Sequence, residues 1–393
     1  MDADVVVVGG GPVGATLAMV LARAGRRVTV VEKATLPRDK PCGEGMMPSG
    51  VKVLARLGID LVAEGFPAVG GVRFRLASGR SVRGDLLTGP GCGARRIRLD
   101  PLLAARAAAT SGVTFLAGCA ALGLRTGTES VCLDTQQGEL TARVLVGADG
   151  LRSQVAGWLG WARRPRLRRT TSAPRHALVG HLAVHGKQIP DEIVITLLGD
   201  VEVYAAPSGQ DEILVAVLGS QGRLRQAGRT VLESYRAAVE RAHPELAGAA
   251  LAGRVWGAGP FRISPRTVAE GRAFLVGDAA GFLDPLTGDG MAAGLMQAET
   301  LGHQLGGSAD LAGQGEVEAA AATYRAWRAG QWRRRRKVTG LALALTGSPA
   351  LARRAMAGVS RRPAALEAML EVNDGTRGMI RVGLRDWAAL AGF

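Results

Sequence analysis

The sequence is poor in aromatic residues and in cysteine, and it lacks an apolar run that could cross a membrane. Aromatic residues make up 4% of the 393 residues, and the four cysteines lie far apart with no Cys-x-x-Cys pair. This spacing excludes a disulfide scaffold and a zinc module, so we expect no metal. The longest charge-free stretch near the C-terminus, residues 338–352, has 15 residues, whereas a membrane-spanning helix needs roughly 20.

Acidic residues are also in deficit, because 34 Asp and Glu stand against 49 Lys and Arg, which gives a net charge of +15. The basic excess is concentrated in residues 152–175 and 325–337. No helix-turn-helix, aromatic-studded sheet or zinc module accompanies it, so we expect no specific nucleic-acid partner. A solvated or phosphate-facing surface is the first interpretation. Docking to an anionic membrane or to a carrier protein is the alternative.

From the N-terminal residues we expect no signal peptide. Residues 5–8 are already apolar and β-branched, without a preceding basic region or a following small-residue cleavage site. We therefore expect a cytoplasmic location, with peripheral association with a membrane as the alternative. A length of 393 residues suggests two or three interleaved units.

What the sequence does contain is a glycine-rich motif between two strand patterns. Residues 5–8 precede Gly-Gly-Gly-Pro-Val-Gly at 9–14, a helical stretch follows at 15–24, and a second apolar run at 27–31 ends in Glu32. This is the order of a βαβ unit that binds a dinucleotide, with pyrophosphate at the helix N-terminus and ribose on the acid. The residues expected to bind the cofactor here are Gly9, Gly11, Pro12, Val13, Gly14, Glu32 and Lys33.

A second constellation distinguishes FAD from NAD. The apolar residues 273–276 run into Gly-Asp, then a proline, then Gly-x-Gly before a helical stretch. This pattern resembles the flavoprotein superfamily that contains para-hydroxybenzoate hydroxylase and the geranylgeranyl reductases. The resemblance implies non-covalent FAD, with Asp278 on the ribityl hydroxyls, Pro285 against the isoalloxazine and the backbone after it facing the pyrimidine edge. The cofactor residues implied here are Gly277, Asp278, Pro285, Gly288, Gly290 and Met291.

Two further motifs resemble the same superfamily. Arg-Ile-Arg-Leu-Asp, beginning at Arg96, resembles the family's Arg-x-x-Leu-Asp helix start. The resemblance implies that Arg96 contacts the diphosphate and that Asp100 caps the helix. Arg95 and Arg98 are the alternatives if the register is shifted. An Asp-Gly pair beginning at Asp149 resembles a motif that lies near FAD, although a simple helix cap would also explain that aspartate.

The loop after the second strand points to one branch of the superfamily. Pro-Cys-Gly-Glu-Gly at 41–45 resembles the geranylgeranyl reductases, which implies that Cys42 and Gly43 lie beside the flavin. A plain structural cysteine is the alternative. Arg38 and Lys40 could lower the pKa of the Cys42 thiol, but we assign it no catalytic step.

Alternating apolar and polar residues in the middle of the chain predict an antiparallel sheet that covers the flavin. The expected strands form a hairpin at 70–84 and runs at 177–184, 192–197, 201–205 and 212–218. The Tyr-x-Trp-x-x-Pro pattern of the reductases is incomplete, which favours a broad, flat substrate over a long isoprenoid. The expected substrate pocket consists of Met46, Met47, Tyr204, Ala205 and Ala206.

The last eighty residues have helical patterns at 316–329, 331–345, 349–359 and 363–371. Leu341, Leu343 and Leu345 are expected to pack on the FAD-binding domain, with contact to a membrane surface as the alternative.

Together these patterns predict an α/β fold. A Rossmann-like FAD-binding βαβ domain is interleaved with an antiparallel β-sheet substrate domain and is followed by a helical C-terminal segment. The predicted division assigns FAD binding to 1–69, 91–160 and 255–310, a substrate-sheet hairpin to 70–90, the substrate domain to 161–254 and the helical segment to 311–393.

The predicted function is that of an FAD-dependent oxidoreductase. The leading hypothesis is an NAD(P)H-driven monooxygenase that uses dioxygen, through a flavin C4a-hydroperoxide, to oxygenate a small aromatic or polyketide-like substrate. Reduction of a substrate C=C bond is the main alternative. A flavin halogenase is disfavoured, because Trp158 and Trp161 do not match the spacing of the halogenase Trp-x-Trp-x-Ile-Pro element. A non-enzymatic flavin-binding protein is disfavoured, because paired flavin motifs imply redox turnover.

Overall fold

The structure is a computed structural model that describes residues 1–163, 174–185, 189–225 and 229–393. Part of the basic cluster at 152–175 therefore lies outside the described residues. The strands in the described part are β1 Ala3–Val8, β2 Val28–Glu32, β3 Gly45–Met46, β4 Ala68–Val69, β5 Gly71–Leu76, β6 Ser81–Asp85, β7 Gly91–Gly93, β8 Val113–Ala117, β9 Ala121–Thr126, β10 Val131–Thr135, β11 Gly138–Gly147, β12 Arg175–Ala183, β13 Glu192–Leu197, β14 Glu202–Pro207, β15 Glu212–Ser220, β16 Trp256–Ala258, β17 Ala269–Glu270 and β18 Ala273–Leu275.

The α-helices pack on both faces of the first sheet and form the C-terminal part of the chain. They are α1 Pro12–Arg23, α2 Pro48–Arg56, α3 Arg96–Ala108, α4 Gln154–Trp158, α5 Gln221–Leu224, α6 Val231–Ala242, α7 Gly290–Gly307, α8 Gln314–Thr346, α9 Pro349–Arg361, α10 Ala364–Asp374 and α11 Leu384–Leu390. Among the described residues, no helix combines the length and the apolar character needed to cross a lipid bilayer.

The first sheet contains the βαβ unit that the glycine motif predicts. Its strand order is β17-β18-β11-β1-β2-β8, with β10 and β9 added beside β11. β1 pairs in parallel with β2 and with β11, and α1 connects β1 to β2. Residues 5–8 of β1 are all valine and are buried, because both faces of the sheet are covered at its parallel centre.

The second sheet is the predicted substrate sheet. Its order is β16-β12-β15-β14-β13-β5-β6, and all its pairs are antiparallel except β13 with β5. The hairpin predicted at 70–84 is β5–β6. One face packs against α9 and α10, and the other packs against α6. The predicted fold class is confirmed, and the domain boundaries stay a prediction.

The C-terminal segment differs from the prediction in two ways. The helices expected at 316–329 and 331–345 form the single 33-residue helix α8, because Gly330 costs a helix only about 1 kcal/mol and α8 is packed on both sides of it. Its leucines also pack differently from the expectation. Leu341 and Leu345 face a cavity against the second sheet rather than the FAD-binding domain. The short helix α11 was not anticipated.

Candidate functional site

The glycine loop between β1 and α1 forms a close-packed turn with a free helix N-terminus. Gly9 has φ of +105°, a conformation that glycine adopts without strain. A Cβ on Gly14 would lie 1.9 Å from the Gly9 carbonyl oxygen, so only glycine fits. Gly11 is the N-cap of α1 and no side chain caps it. The first N–H groups of α1 therefore remain available for an anion.

Two guanidinium groups face this helix N-terminus. A Cβ on Gly11 would lie 3.7 Å from Arg96 Nη2 and 3.9 Å from Arg38 Nη2. Arg96 donates from Nε and Nη2 to Asp100 at 2.6 and 2.8 Å, and Arg38 lies 3.6 Å from the carboxylates of Glu32 and Asp100. Two cations and free N–H groups around one glycine suit the diphosphate of FAD.

The start of α3 corrects one detail of the sequence analysis. The helix begins at Arg96, so Asp100 lies inside it and pairs with Arg96 instead of capping the helix. Arg98 is exposed and donates to backbone carbonyls. Arg95 is buried and reaches Asp39 at 3.2 Å and Glu212 at 2.8 Å. Of these three arginines only Arg96 faces Gly11, in agreement with the predicted register.

Glu32 is positioned at the end of β2 to accept further hydrogen bonds. Its carboxylate is buried and accepts from the N–H of Gly10 at 2.8 Å and of Ala34 at 2.9 Å. These bonds fix the carboxylate beside the glycine loop, where a ribose diol would meet it. The side chain of Lys33, in contrast, is exposed, and its contact with the cofactor stays a prediction.

Asp278 and Lys40, an acid and a base that are each half-buried, lie near one another farther along the groove. Burial raises the pKa of Asp278, although Lys40, Arg335 and Arg96 oppose the shift. Burial and Arg96 lower the pKa of Lys40, and Asp278 opposes this. Within the described residues no side-chain hydrogen bond satisfies the Asp278 carboxylate, which suits a ligand with several hydroxyl groups. Lys40 and Arg38 were not among the predicted cofactor residues, although both follow the second strand of the βαβ unit.

The turn before α7 offers a second helix N-terminus. Residues Pro285–Thr287 form a 3₁₀ turn, Gly288 is left-handed, and no side chain caps α7. The Asp289 carboxylate accepts from Thr287 Oγ1 at 2.8 Å and from Arg335 Nε at 2.6 Å. The uncapped N–H groups at Gly290 and Met291 suit the pyrimidine edge of a flavin. Arg335 belongs to the basic run at 325–337, so this run is partly buried structure and not only a solvated surface.

Asp149 acts as a helix cap. Its carboxylate accepts from Ser153 Oγ at 2.6 Å and from the Gln154 N–H at 2.6 Å. The backbone of this turn nevertheless lies against the glycine loop. A Cβ atom added to Gly9 would be only 2.9 Å from the Cα atom of Asp149. The side chain of Asp149 therefore caps a helix, which was the alternative interpretation of this residue. Its contact with the flavin stays a prediction.

The loop that contains Cys42 joins the cofactor groove to the second sheet. Glu44 is buried with φ of +53° and accepts from the Arg96 N–H at 2.9 Å. Its other oxygen hydrogen-bonds His181 Nε2 of β12 at 2.8 Å. Burial raises the pKa of the Cys42 thiol more than Arg96 lowers it. The expected lowering by Arg38 and Lys40 is therefore wrong, because burial of the sulfur outweighs the nearby cations.

An apolar cavity of ≈ 160 Å³ lies between the second sheet and the C-terminal helices. It extends from residues 286–288, beside the second flavin motif, to Leu390 of α11. The polar residues among its lining are Tyr204, Thr287, Thr346 and Asn373, and the rest are apolar apart from Gly288. Its volume is on the scale of a cavity that accepts a benzene-sized group.

Two of the five predicted pocket residues line this cavity. Met47 and Tyr204 do so, and Ala206 lies on the same face of β14. Met46 packs instead into the core around α2, and Ala205 faces α6. Ala205 and Ala206 point to opposite faces of β14, as successive residues of a strand do. The composition of the substrate pocket stays a prediction.

The fold and these two uncapped helix termini define an FAD-dependent oxidoreductase. The family described as FAD binding domain matches residues 2–331, and the chain belongs to it. This agrees with the flavoprotein superfamily that the motifs indicate.

Known relatives include both reductases and oxygenases. The chain is 30% identical to the menaquinone reductase of Mycobacterium tuberculosis over 332 residues, which cover 79% of this chain and 78% of the relative. It is 30% identical to the rifampicin monooxygenase of Streptomyces venezuelae over 332 residues, which cover 78% and 64%. A solved flavoprotein/dehydrogenase of Cytophaga hutchinsonii superposes with a TM-score of 0.79 at 17% identity, covering 95% of this chain and 93% of that one.

Proposed function

We propose that this protein reduces a carbon–carbon double bond in an apolar substrate whose reacting segment occupies the cavity beside residues 286–288. The observation that carries the proposal is the lining of the cavity, in which Tyr204 is the one titratable side chain among the described residues. Aliphatic walls select an apolar group, and ≈ 160 Å³ accommodates about one ring or one branched isoprene unit.

Reduction of a C=C bond consumes a hydride and a proton. FAD supplies hydride chemistry when it is bound, and NAD(P)H is the proposed donor of reducing equivalents. Burial raises the pKa of Tyr204, so its hydroxyl keeps its proton at neutral pH. The ring lines the cavity and the hydroxyl lies toward Gly45. The hydroxyl is therefore buried beside the Cys42 loop and not in the cavity. We assign the ring of Tyr204 to the wall of the substrate site, and the proton is taken up from solvent.

The relatives and the Cys42 loop support a reductive reaction. The chain is similar to a menaquinone reductase over most of its length, and Pro-Cys-Gly-Glu-Gly resembles the geranylgeranyl reductases. The structure also weakens the argument for a flat aromatic substrate, because Ala205 faces away from the cavity. No side chain that lines the cavity in the described residues could serve as a base to ionise a phenol at neutral pH.

Oxygenation of an apolar substrate is the second candidate. The same apolar lining would exclude water, which an oxygenating flavoprotein requires, and the similarity to rifampicin monooxygenase favours it. The two candidates share the substrate class and differ in their need for dioxygen.

Product mass under anaerobic conditions distinguishes them. The holoenzyme is incubated with NADH or NADPH and with a menaquinone or a geranylgeranyl lipid, with and without dioxygen. We expect equal turnover without dioxygen and a product two hydrogens heavier. Tyr204→Phe keeps the ring and should change kcat and KM little, whereas Tyr204→Ala removes part of the cavity wall and should raise KM at unchanged flavin content. Turnover that requires dioxygen and adds an oxygen atom would assign the protein to the oxygenases, and a halide-dependent product would assign it to the halogenases.

A further inference from the structure

The C-terminal segment exposes two large aliphatic side chains almost completely. Ile380 is 97% and Leu384 is 89% exposed, whereas the next most exposed leucines, Leu122 and Leu87, are 59% and 58% exposed. Single exposed aliphatic residues are common on protein surfaces. Two that protrude fully within five residues are not, and they indicate a surface that is covered by something else.

Each of these aliphatic residues is followed directly by an exposed arginine, Arg381 and Arg385. Neither arginine forms an ion pair within the part of the chain that the structure describes. The nearest acid in sequence, Asp386, is buried and pairs with Arg362 at 2.5 Å. We call Ile380, Arg381, Leu384 and Arg385 the 380–385 surface. It combines apolar protrusions with uncompensated positive charge.

This surface lies on the outer side of the wall that encloses the cavity. Val382 is buried between the four exposed residues and packs with Val338 and Met369, so the segment is anchored to α8 and α10. Leu384 begins α11, and Leu390, near its end, lines the cavity. Six residues of helix span about 9 Å. One short helix therefore connects the exposed surface to the substrate cavity.

We propose that the 380–385 surface docks on an anionic lipid bilayer. Ile380 and Leu384 would enter the boundary between headgroups and acyl chains, and Arg381 and Arg385 would meet the lipid phosphates. Ile380 and Leu384 protrude as separate side chains. Such side chains can insert into a fluid lipid phase, whereas a protein partner would need a complementary surface for each of them. The net charge of +15 adds long-range attraction to an anionic surface. Delivery of an apolar substrate along α11 rests on the proposed function, whereas the docking itself does not.

Sedimentation of the holoenzyme with vesicles tests the docking. One set of vesicles contains phosphatidylcholine alone, and the other contains equal parts of phosphatidylcholine and phosphatidylglycerol. We expect binding to the mixed vesicles that weakens at high salt. Ile380→Ser with Leu384→Ser should weaken it at least about tenfold, and Arg381→Gln with Arg385→Gln roughly fivefold per arginine.

Matched controls carry the same substitutions elsewhere. Leu122→Ser removes an exposed leucine on β9, and Arg336→Gln with Lys337→Gln removes two exposed charges of the α8 basic run. We expect Leu122→Ser to bind like the wild type. The charge control should lose far less affinity than Arg381→Gln with Arg385→Gln, because it lowers only the net charge. Flavin content and thermal stability should be unchanged in every variant, because each altered side chain is exposed.

Three results would overturn the proposal: no binding to mixed vesicles, binding that the 380–385 variants leave unchanged, or binding of an acidic carrier protein instead of vesicles. Vesicle binding is measured without substrate or turnover. A failed reduction assay would therefore count against the proposed function and not against the docking.

Discussion

Arg96 and Arg335 are both buried guanidinium groups with carboxylate partners, but they serve different parts of the site. Arg96 pairs with Asp100 and also faces Gly11 at the N-terminus of α1. Arg335 is nearly enclosed and holds Asp289 at the start of α7. The first is therefore predicted to contact the ligand directly, and the second holds the turn before α7 in place.

Removal of Arg96 should weaken FAD binding. The same change also removes the bidentate partner of the buried Asp100, so thermal unfolding of the apoprotein is measured beside it. Loss of one charge-assisted contact costs about 1.5–3 kcal/mol, or roughly 10- to 150-fold in affinity. Arg96→Ala should release FAD during gel filtration, and titration of the apoprotein should give the affinity. Arg98→Ala on the same helix is the control, because that side chain is exposed. Equal loss of FAD in both variants would contradict the assignment of Arg96.

Removal of Arg335 should reduce the stability of the fold. Arg335→Ala leaves a buried carboxylate without its partner, which typically costs about 3–5 kcal/mol. Arg336→Ala, next to it but exposed, should change the free energy of unfolding by less than about 0.5 kcal/mol. Urea denaturation of both holoproteins measures the difference. Similar values would show that the Asp289 pair does not stabilise the fold.

The same pair predicts a pH dependence. Burial opposes ionisation of Asp289, but the charge and hydrogen bonds of Arg335 outweigh it and hold the pKa below its usual value. A carboxyl group whose pKa is lower in the folded state stabilises that state at any pH above its unfolded-state pKa of about 3.9. This stabilisation is lost as the pH falls through the folded-state pKa. The difference between wild type and Arg335→Ala should therefore shrink below about pH 4.

At the scale of elements, close contact between α1 and α7 brings the two flavin motifs together. Glycines on α7 allow it: a Cβ on Gly294 would lie 2.6 Å from Val13 Cγ2, and one on Gly302 would lie 2.5 Å from Val20 Cγ1. Helix α8, in contrast, carries glycines that face open space, such as Gly340. The same residue type thus has a packing role in one helix and none in the other.

Alanine substitution at two helical glycines should have opposite effects. Gly302→Ala forces α1 and α7 apart and should cost about 1–3 kcal/mol of unfolding free energy. Gly340→Ala removes backbone entropy from the unfolded chain at an exposed position and should add about 0.5–1 kcal/mol. Thermal or urea unfolding checks both. A destabilising Gly340→Ala would mean that α8 is not a continuous helix there.

At the scale of the whole molecule, the cofactor groove and the substrate sheet are joined by buried charged contacts. Glu44 links the Cys42 loop to His181 of β12, and Arg95 links the start of α3 to Glu212 of β15. Helix α8 spans the junction, with Tyr324 packed in the FAD-binding core and Leu345 at the cavity. The cavity lies where these parts meet.

Filling the cavity should therefore block the substrate and leave the cofactor bound. Ala342 of α8 lines the cavity, and Ala344, two residues farther along, is exposed. Ala342→Phe should raise KM or abolish turnover at unchanged FAD content, whereas Ala344→Phe should behave like the wild type. Steady-state kinetics with the substrate found in the anaerobic assay measures this. Normal turnover by Ala342→Phe would place the substrate elsewhere.

Local sequence patterns were sufficient to predict the βαβ unit, the second flavin motif and the hairpin of the substrate sheet. Each is a local pattern: glycine spacing, strand alternation and helix starts lie within about 35 consecutive residues, as is typical of a βαβ unit. The opposite faces of Tyr204 and Ala205 also follow from the alternation of side chains along β14.

The tertiary structure decided which distant side chains share one environment. Arg335 joins Asp289 across 46 residues, and Glu44 joins His181 across 137. Lys40 comes close to Asp278, and burial sets the direction of the Cys42 pKa shift. The aliphatic cavity is built from two strand pairs and four helices that no local pattern connects. Side-chain periodicity is a property of neighbouring residues, whereas burial and charge pairing depend on how the completed elements pack against one another.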